Sequence, residues 1–373
     1  GDAVDAGIAQ ARGGGGMILH VYLARRFLRS FVIVLAVFIA ILLPIDLAEQ
    51  LRAIGTPDAG LRQAFQLALL NLPGSLYRML PLFIILSTLV LFLSLSRTSE
   101  LVVVRASGRS ALKSTISPVL MSILIGLIGL LIINPLVAAT ERQYEVTIQQ
   151  FQTGEERTLS VSGEGLWLRQ GNAAGQTVIR AARANADGTE LFAASFFVYD
   201  EGGQALRRID ADRAALVDGA WQMAGAKIWP LTVANPETYA LASTLTRDQI
   251  RDSFGRPSTV PIYELPRFIA QLRAAGFAAL QHRVWLMTEL ANPLMLAAMV
   301  LIAASFTMRH TRFGKTGIMV LFALLLGFGI FFLHNFAQVL GESGQLPVAV
   351  AAWTPPVAAI LLSLGFLFHT EDG

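Results

Sequence analysis

The sequence contains no cysteine, which excludes disulfides, cysteine-bound zinc and thiol catalysis. Any domain outside the cytoplasm must therefore be held by its own apolar core. Charge is scarce as well. Asp, Glu, Lys and Arg make up 15% of 373 residues, against about 25% in an ordinary soluble domain. A formal charge of +3 is too slight for a nucleic-acid binder. Catalytic signatures are missing too. There is no His-Glu-x-x-His and no Gly-x-Ser-x-Gly, and His20, His282, His310, His334 and His369 show no metal-ligand spacing. Gly314-Lys315-Thr316 ends like a phosphate loop, but Arg309 stands where that pattern needs its first glycine. His334 and Asn335, inside one apolar run, read as a polar contact between helices.

What the chain has instead is apolar length. Hydrophobic residues make up 54% of it, and the mean hydropathy is +0.56. Runs of about 20 apolar residues cross roughly 30 Å of hydrocarbon. They predict six spans, at residues 27–45, 74–95, 115–137, 284–308, 317–339 and 348–368. The apolar stretch 64–95 would be about 48 Å long as one helix. Residues 61–72 are therefore read as an interfacial helix, with the break at Pro73-Gly74. Residues 1–16 end in four glycines before Met17 and are set aside as a tag, linker or disordered terminus. The stretch after Met17 has no small-residue cleavage site and reads as a retained span.

Basic residues give the orientation. Arg25, Arg26 and Arg29 precede the first span, Arg97, Arg105, Arg109 and Lys113 lie between the second and third, and Arg309, Arg312 and Lys315 lie between the fourth and fifth. The loops of the other side hold Arg52 and Arg62, and residues 340–346 hold no basic residue. By the positive-inside rule both termini are cytoplasmic, and the segment between spans three and four is outside. That segment, 149–261, is polar and rich in Gly, Asp and Thr. Its short alternating or β-branched runs lie at 158–161, 165–169, 177–181, 191–199, 214–217 and 220–231. Asp187-Gly188, Glu201-Gly202-Gly203 and Asp218-Gly219 separate them, a spacing that predicts a sandwich or jelly roll. A helix over 262–275 returns the chain to the fourth span. The expected fold class is membrane α-helical with an inserted all-β domain: spans 1–3 within 17–148, a β-jelly-roll at 149–261, and spans 4–6 within 262–373.

The most informative loop is Arg97-Thr98-Ser99-Glu100-Leu101-Val102-Val103-Val104-Arg105-Ala106-Ser107-Gly108. Thr98 or Ser99 can cap a helix, Glu100 suits its positive end, and Gly108 can stop it. Two readings stand: an interfacial helix that anchors the loop, or a coupling helix that enters a groove on a separate ATPase. In the second, Leu101, Val102 and Arg105 surround an exposed Glu100 aimed at a basic groove. Asp46, Glu49, Arg52, Arg62, Arg78 and Arg142 cluster near the predicted outer membrane exits. Singly, each reads as rim solvation. As a set, they suit the phosphates of an anionic lipid head group, because the planar guanidinium binds two oxygens at once.

Residues 98–108 are similar to the Ser-Glu-Leu-Val-Val-x-x-Ala-Ser-Gly signature of the LptF/LptG family of lipopolysaccharide export permeases. Glu49-Gln50-Leu51-Arg52 with Gly55 looks like the acid-Gln-Leu-basic stretch that ends the first span in the LptG branch. Gly165-Leu166-Trp167 followed by Gly171 also resembles that branch. The resemblance runs from Met17 to the end of the chain. It implies a bacterial inner-membrane subunit that pairs with LptF on a dimer of the ATPase LptB. It implies further that lipopolysaccharide passes through jelly rolls toward LptC and the bridge protein LptA. On this resemblance Glu100 matches the glutamate that contacts LptB, Arg142 (followed by Gln143 and Tyr144) a basic position facing the head group, and Arg52 a basic position on the first span. The sequence departs from the family pattern at Asp46, where a basic residue is expected, at Gly74, often lysine, and at Glu145, often arginine.

The expectation is thus a transporter subunit with no catalytic, metal or cofactor site of its own, ATP and Mg being bound by the partner ATPase. Lipopolysaccharide would enter past the first span, with its phosphates near Arg52, Arg78 and Arg142 and with Asp46 and Glu49 beside them. Two other classes are weighed against it. A permease of another lipid or lipoprotein ABC exporter often uses four spans per subunit, and six are counted. A membrane-anchored periplasmic sensor or scaffold calls for a cytoplasmic output domain, and the cytoplasmic parts here are short loops.

Overall fold

The computed structural model describes residues 2–54, 60–98, 100, 111–152, 159–162, 165–172, 175–185, 188–200, 204–229, 238–243, 256–274, 278–308 and 316–371. In chain order the helices before the sheet are α1 (Asp2–Ile54), α2 (Leu61–Arg78), α3 (Leu80–Arg97), α4 (Ala111–Ile128), a π-helical turn (Gly129–Ile133) and α5 (Asn134–Gln152). The strands are β1 (Leu159–Ser162), β2 (Gly165–Asn172), β3 (Gly175–Ala184), β4 (Glu190–Tyr199), β5 (Ala205–Val217), β6 (Ala220–Ala224), β7 (Lys227–Trp229) and β8 (Thr238–Ala242). After them come α6 (Leu265–Ala274), α7 (Leu280–Thr307), α8 (Thr316–Glu342) and α9 (Val348–Glu371). The chain divides into a helical unit, Gly1–Glu145 with Val284–Gly373, and a second unit, Val146–Arg283.

Six helical stretches are long and apolar enough to cross a membrane: Ile18–Ala53, Leu80–Arg97, Leu112–Ile148, Leu280–Thr307, Gly317–Glu342 and Val348–His369. They coincide with the six predicted spans. α3 and α7 form the interior of the helical unit, with 67% and 72% of their apolar windows buried against 11% for the α1 span and 22% for the α8 span. Phe83, Ile84, Leu91 and Phe92 of α3 meet Met295, Met299 and Ile302 of α7 in one apolar core, joined by Phe27 from α1. α4 and α7 approach closely at Gly126, where a Cβ would stand 2.8 Å from the Pro293 Cα. In lipid, close backbone approach at small residues replaces the missing hydrophobic drive.

Two boundaries differ from the sequence expectation. The second apolar stretch does not break at Pro73-Gly74. α2 runs through Pro73 to Arg78, and the chain bends at Met79 (φ −91°, ψ 2°). Pro81 in the first turn of α3 marks this start, since a helix leaves its first N–H groups unbonded and loses nothing to proline there. Buried Leu72, Gly74 and Tyr77 hold α2 in place around Pro73. At the other end of the chain, α1 begins at Asp2 and takes in the residues set aside as a linker. Extending a formed helix adds a bond per residue without a second costly nucleus.

The second unit is a single antiparallel sheet in the order β1-β2-β3-β4-β5-β6-β8, with β7 on β5. Period-two alternation puts Leu168, Ile179, Phe196 and Ile209 in one cross-strand row, and Leu166, Ala181, Ala194 and Ala211 in the next. These rows and Trp221 form the buried core, which α6 closes with Leu272. Among the described strands each pairs with its neighbour in sequence except that β8 pairs β6 while β7 sits on β5, and bonds from β2 to β6 and to the end of β8 join distant strands of the sheet. Gln170 of β2 accepts from Trp221 Nε1 of β6 (3.3 Å) and donates to the Ala242 carbonyl of β8 (3.2 Å). The predicted run 220–231 contains β6 and β7, divided at Gly225. There φ is +67°, and a side chain would strike the Asp212 carboxylate. β8 and the first half of β5 carry no predicted run: Arg207, Arg208, Asp210 and Asp212 interrupt the apolar pattern that signals a strand.

Candidate functional site

Glu100 is tied to the near end of α1. Arg26 donates to Glu100 Oε2 at 2.5 Å, and the Tyr22 hydroxyl donates to the same oxygen at 2.7 Å. Arg26 also bonds the Tyr22 hydroxyl, and its guanidinium lies 5.6 Å from the Tyr22 ring centre. The two donors are four residues apart on α1, so they share one helical face. The hydrogen bonds from Arg26 and then Tyr22 push the Glu100 pKa down to about 2, and its side chain stays 37% exposed. On the same stretch of α1, His20 Nδ1 lies 2.6 Å from Ser117 Oγ of α4. Leu101, Val102 and Arg105, the other residues of the expected coupling helix, lie outside the described residues, as do Gly314 and Lys315.

Three helices that carry rim residues, α1, α2 and α5, are bonded to one another near Asp46 and Gln50. Asn71 of α2 donates to Asp46 of α1 at 2.8 Å, and Tyr144 of α5 donates to Gln50 of α1 at 3.2 Å. Arg78 caps back onto the Gly74 carbonyl (3.3 Å), and the Glu141 carboxyl of α5 lies against Gly74. These contacts stitch the three helices together. Arg52 follows the Gln50 contact by two residues, Arg142 precedes the Tyr144 contact by two, and Arg78 ends α2; all three are exposed. Glu49 is exposed as well, whereas Asp46 is buried with its Oδ2 unbonded among the described residues. Asp46 is thus a helix-packing residue, close enough to Glu49 and Arg78 to act on both electrostatically. The glycine at 74 has a local reason: a Cβ there would collide with Glu141 Oε1. Arg62, near the start of α2, is exposed.

Sequence reasoning missed two features. In the sequence Arg26 reads only as a cytoplasmic charge and Tyr22 carries no reading; the i, i+4 Tyr-Arg pair is the available signal. The second is a buried polar group inside the helices. The Tyr77 hydroxyl donates to Glu289 Oε2 at 2.5 Å, with Asn134 against both and buried Glu141 near enough to act on Glu289. Asn134 follows the π-helical turn directly. A lone acid in an apolar run is the signal that could have found Glu289. The expected contact at His334 and Asn335 takes another form: His334 is buried with Nδ1 unbonded among the described residues, and Asn335 is exposed.

Residues 21–369 match the model of the family described as lipopolysaccharide export system permease LptF/LptG. The chain is 23% identical over 369 residues to the lipopolysaccharide export system permease protein LptG of Escherichia coli K12, covering 94% of this chain and 98% of that protein. It is 22% identical over 373 residues to the protein of the same name from Haemophilus influenzae, covering 95% and 99%. With six apolar helices, a β unit between the third and fourth, and a family match over nearly its whole length, the chain belongs to the LptF/LptG family of lipopolysaccharide export system permeases.

Proposed function

We propose that this chain is the membrane subunit that draws lipopolysaccharide from the inner membrane, paired with LptF and driven by a separate LptB ATPase dimer. The observation that carries this reading is the layout of α1. Arg26, near one end of its span, holds Glu100, and near the other Asp46 and Gln50 are bonded to α2 and α5, the helices that carry Arg78 and Arg142, with Arg52 two residues beyond Gln50. An arginine group suits the phosphates of a lipid A head group, and the exposed apolar faces of α1 and α8 suit acyl chains or a partner helix. Lys and Arg concentrate on the Glu100 side, which supports cytoplasmic termini and a periplasmic β unit. In this reading ATP and Mg sit in the partner ATPase, whose closure moves the Glu100 loop and narrows the cavity between the paired subunits. Lipid is then passed through the β unit toward LptC and LptA.

The test is co-purification in detergent with LptF and LptB, followed by lipid mass spectrometry. The expected result is a stable complex carrying lipid A-containing species. Replacing Arg52, Arg78 and Arg142 together with Ala should cut co-purified lipopolysaccharide at least about tenfold, since losing even one charge-assisted bond of about 1.5 kcal/mol weakens binding about tenfold. A chain that purifies without ATPase or lipopolysaccharide would overturn the reading in favour of a sensor or scaffold.

A further inference from the structure

Glu100 does not stand clear of the rest of the protein. Its carboxylate receives one bond from Arg26 and one from Tyr22, both on Oε2, while the side chain remains 37% exposed. The cation over the Tyr22 ring and the Arg26 bond to the Tyr22 hydroxyl fix the two donors relative to each other before either meets the carboxylate. α1 continues from this point without a break, through Pro44, to Ile54. Between residues 26 and 52 it spans about 39 Å at 1.5 Å per residue, more than the roughly 30 Å of hydrocarbon it crosses. At its far end Asp46 holds α2 through Asn71, and Gln50 holds α5 through Tyr144. A displacement of Glu100 therefore acts on one end of a helix whose other end is bonded to α2 and α5, the helices that carry Arg78 and Arg142.

We propose that Arg26 and Tyr22 are positioning residues that tie Glu100 to α1, making α1 the lever that carries movement of the Glu100 loop to the junction of Arg52, Arg78 and Arg142. This rests on the reading of Glu100 as the contact with the ATPase. The i, i+4 spacing puts both donors on the face of α1 that meets the loop, and the ionised carboxylate keeps the link in place across the cellular pH range. The exposed part of the carboxylate is left to a basic partner, so Glu100 can join α1 and the ATPase at once.

The chain has no cysteine, so Val21→Cys and Arg97→Cys, both at exposed positions, can carry spin labels in the assembled complex with LptF and LptB. The parent complex should give one narrow label distance that shifts on ATP binding. Arg26→Ala combined with Tyr22→Phe should broaden the distance and abolish the shift. It should also lower lipopolysaccharide released per ATP hydrolysed about tenfold, while hydrolysis itself stays within about twofold. Arg26→Lys, which keeps the charge, should recover at least half of the release. If the double variant does not assemble, Arg26→Gln and Tyr22→Phe singly are read in the same way. An unchanged label distance and unchanged release per ATP in these variants would overturn the lever. A label pair that responds as expected in a complex releasing no lipopolysaccharide in any form would support the lever and overturn the permease reading.

Discussion

Glu289 sits in the apolar interior of α7 and is 4% exposed, so its carboxyl needs partners inside the protein. It has them in Tyr77 and Asn134. Glu289→Leu removes the carboxyl acceptor of the Tyr77 hydroxyl and leaves Asn134 without its Glu289 contact, a loss of about 1–3 kcal/mol. Glu289→Gln keeps an acceptor and should cost less. Thermal unfolding in detergent separates the two: the Leu variant should melt several degrees below the Gln variant, and equal melting would mean that the Tyr77 bond carries no weight. Gly225 in the β unit is constrained twice, by φ +67° and by Asp212. Gly225→Ala should destabilise by about 1–3 kcal/mol, read as a lower unfolding midpoint in the same assay; an unchanged midpoint would refute the constraint. Glu100 behaves differently because it is partly exposed. Its folded-state pKa is depressed, so the stabilisation by Arg26 and Tyr22 is present above the ordinary carboxylate range and is lost only as pH falls toward about 2. Between pH 5 and 8 the tie to α1 should not weaken, and a Val21–Arg97 label distance that changes across that window would contradict this.

The second span shows why single prolines mislead when a helix is read from sequence. Pro73-Gly74 carries two breaker residues, yet α2 runs through both. Pro81, embedded in a more apolar stretch, coincides with a true helix start. A proline at a start loses nothing, while a proline in an interior removes one bond that packing around Leu72 and Tyr77 can outweigh. Pro73→Ala should therefore leave the unfolding temperature unchanged or raise it, and a clear drop would identify Pro73 as the working break. At the α4–α7 contact the expectation has the opposite sign. Gly126→Val places branched carbons against the Pro293 backbone, already 2.8 Å from an ideal Cβ. It should destabilise the helical unit by about 1–3 kcal/mol, and full retention of stability would show that the helices can part freely. In the β unit, the alternation that made β2, β3 and β4 legible fades in β5, where Arg207, Arg208, Asp210 and Asp212 share the strand with Ile209 and Ala211. One face of that strand is solvated, so its charges carry no penalty and its apolar residues are too sparse to form a run.

For the whole molecule, the exposed apolar faces of α1 and α8 are the ones that lipid or a second permease subunit would cover. A partner that binds only the folded chain raises its apparent stability by mass action, so the chain should unfold at a higher temperature with LptF than alone, and no difference would count against pairing through these faces. Composition and span length determined the membrane class and the six crossings, because hydrocarbon thickness imposes a fixed apolar length and penalises charge all along it. The break between spans three and four was equally legible: polar, turn-rich sequence has no place in a bilayer, and period-two runs form strands whatever surrounds them. Family membership followed from the loop around Glu100 and from the overall layout. Only the tertiary structure decided which groups meet. Glu100 and its Arg26 partner are 74 residues apart, and Tyr77 and Glu289 are 212 apart. Local periodicity describes which face a residue occupies within its own helix, whereas a pairing between distant helices depends on how the whole bundle packs.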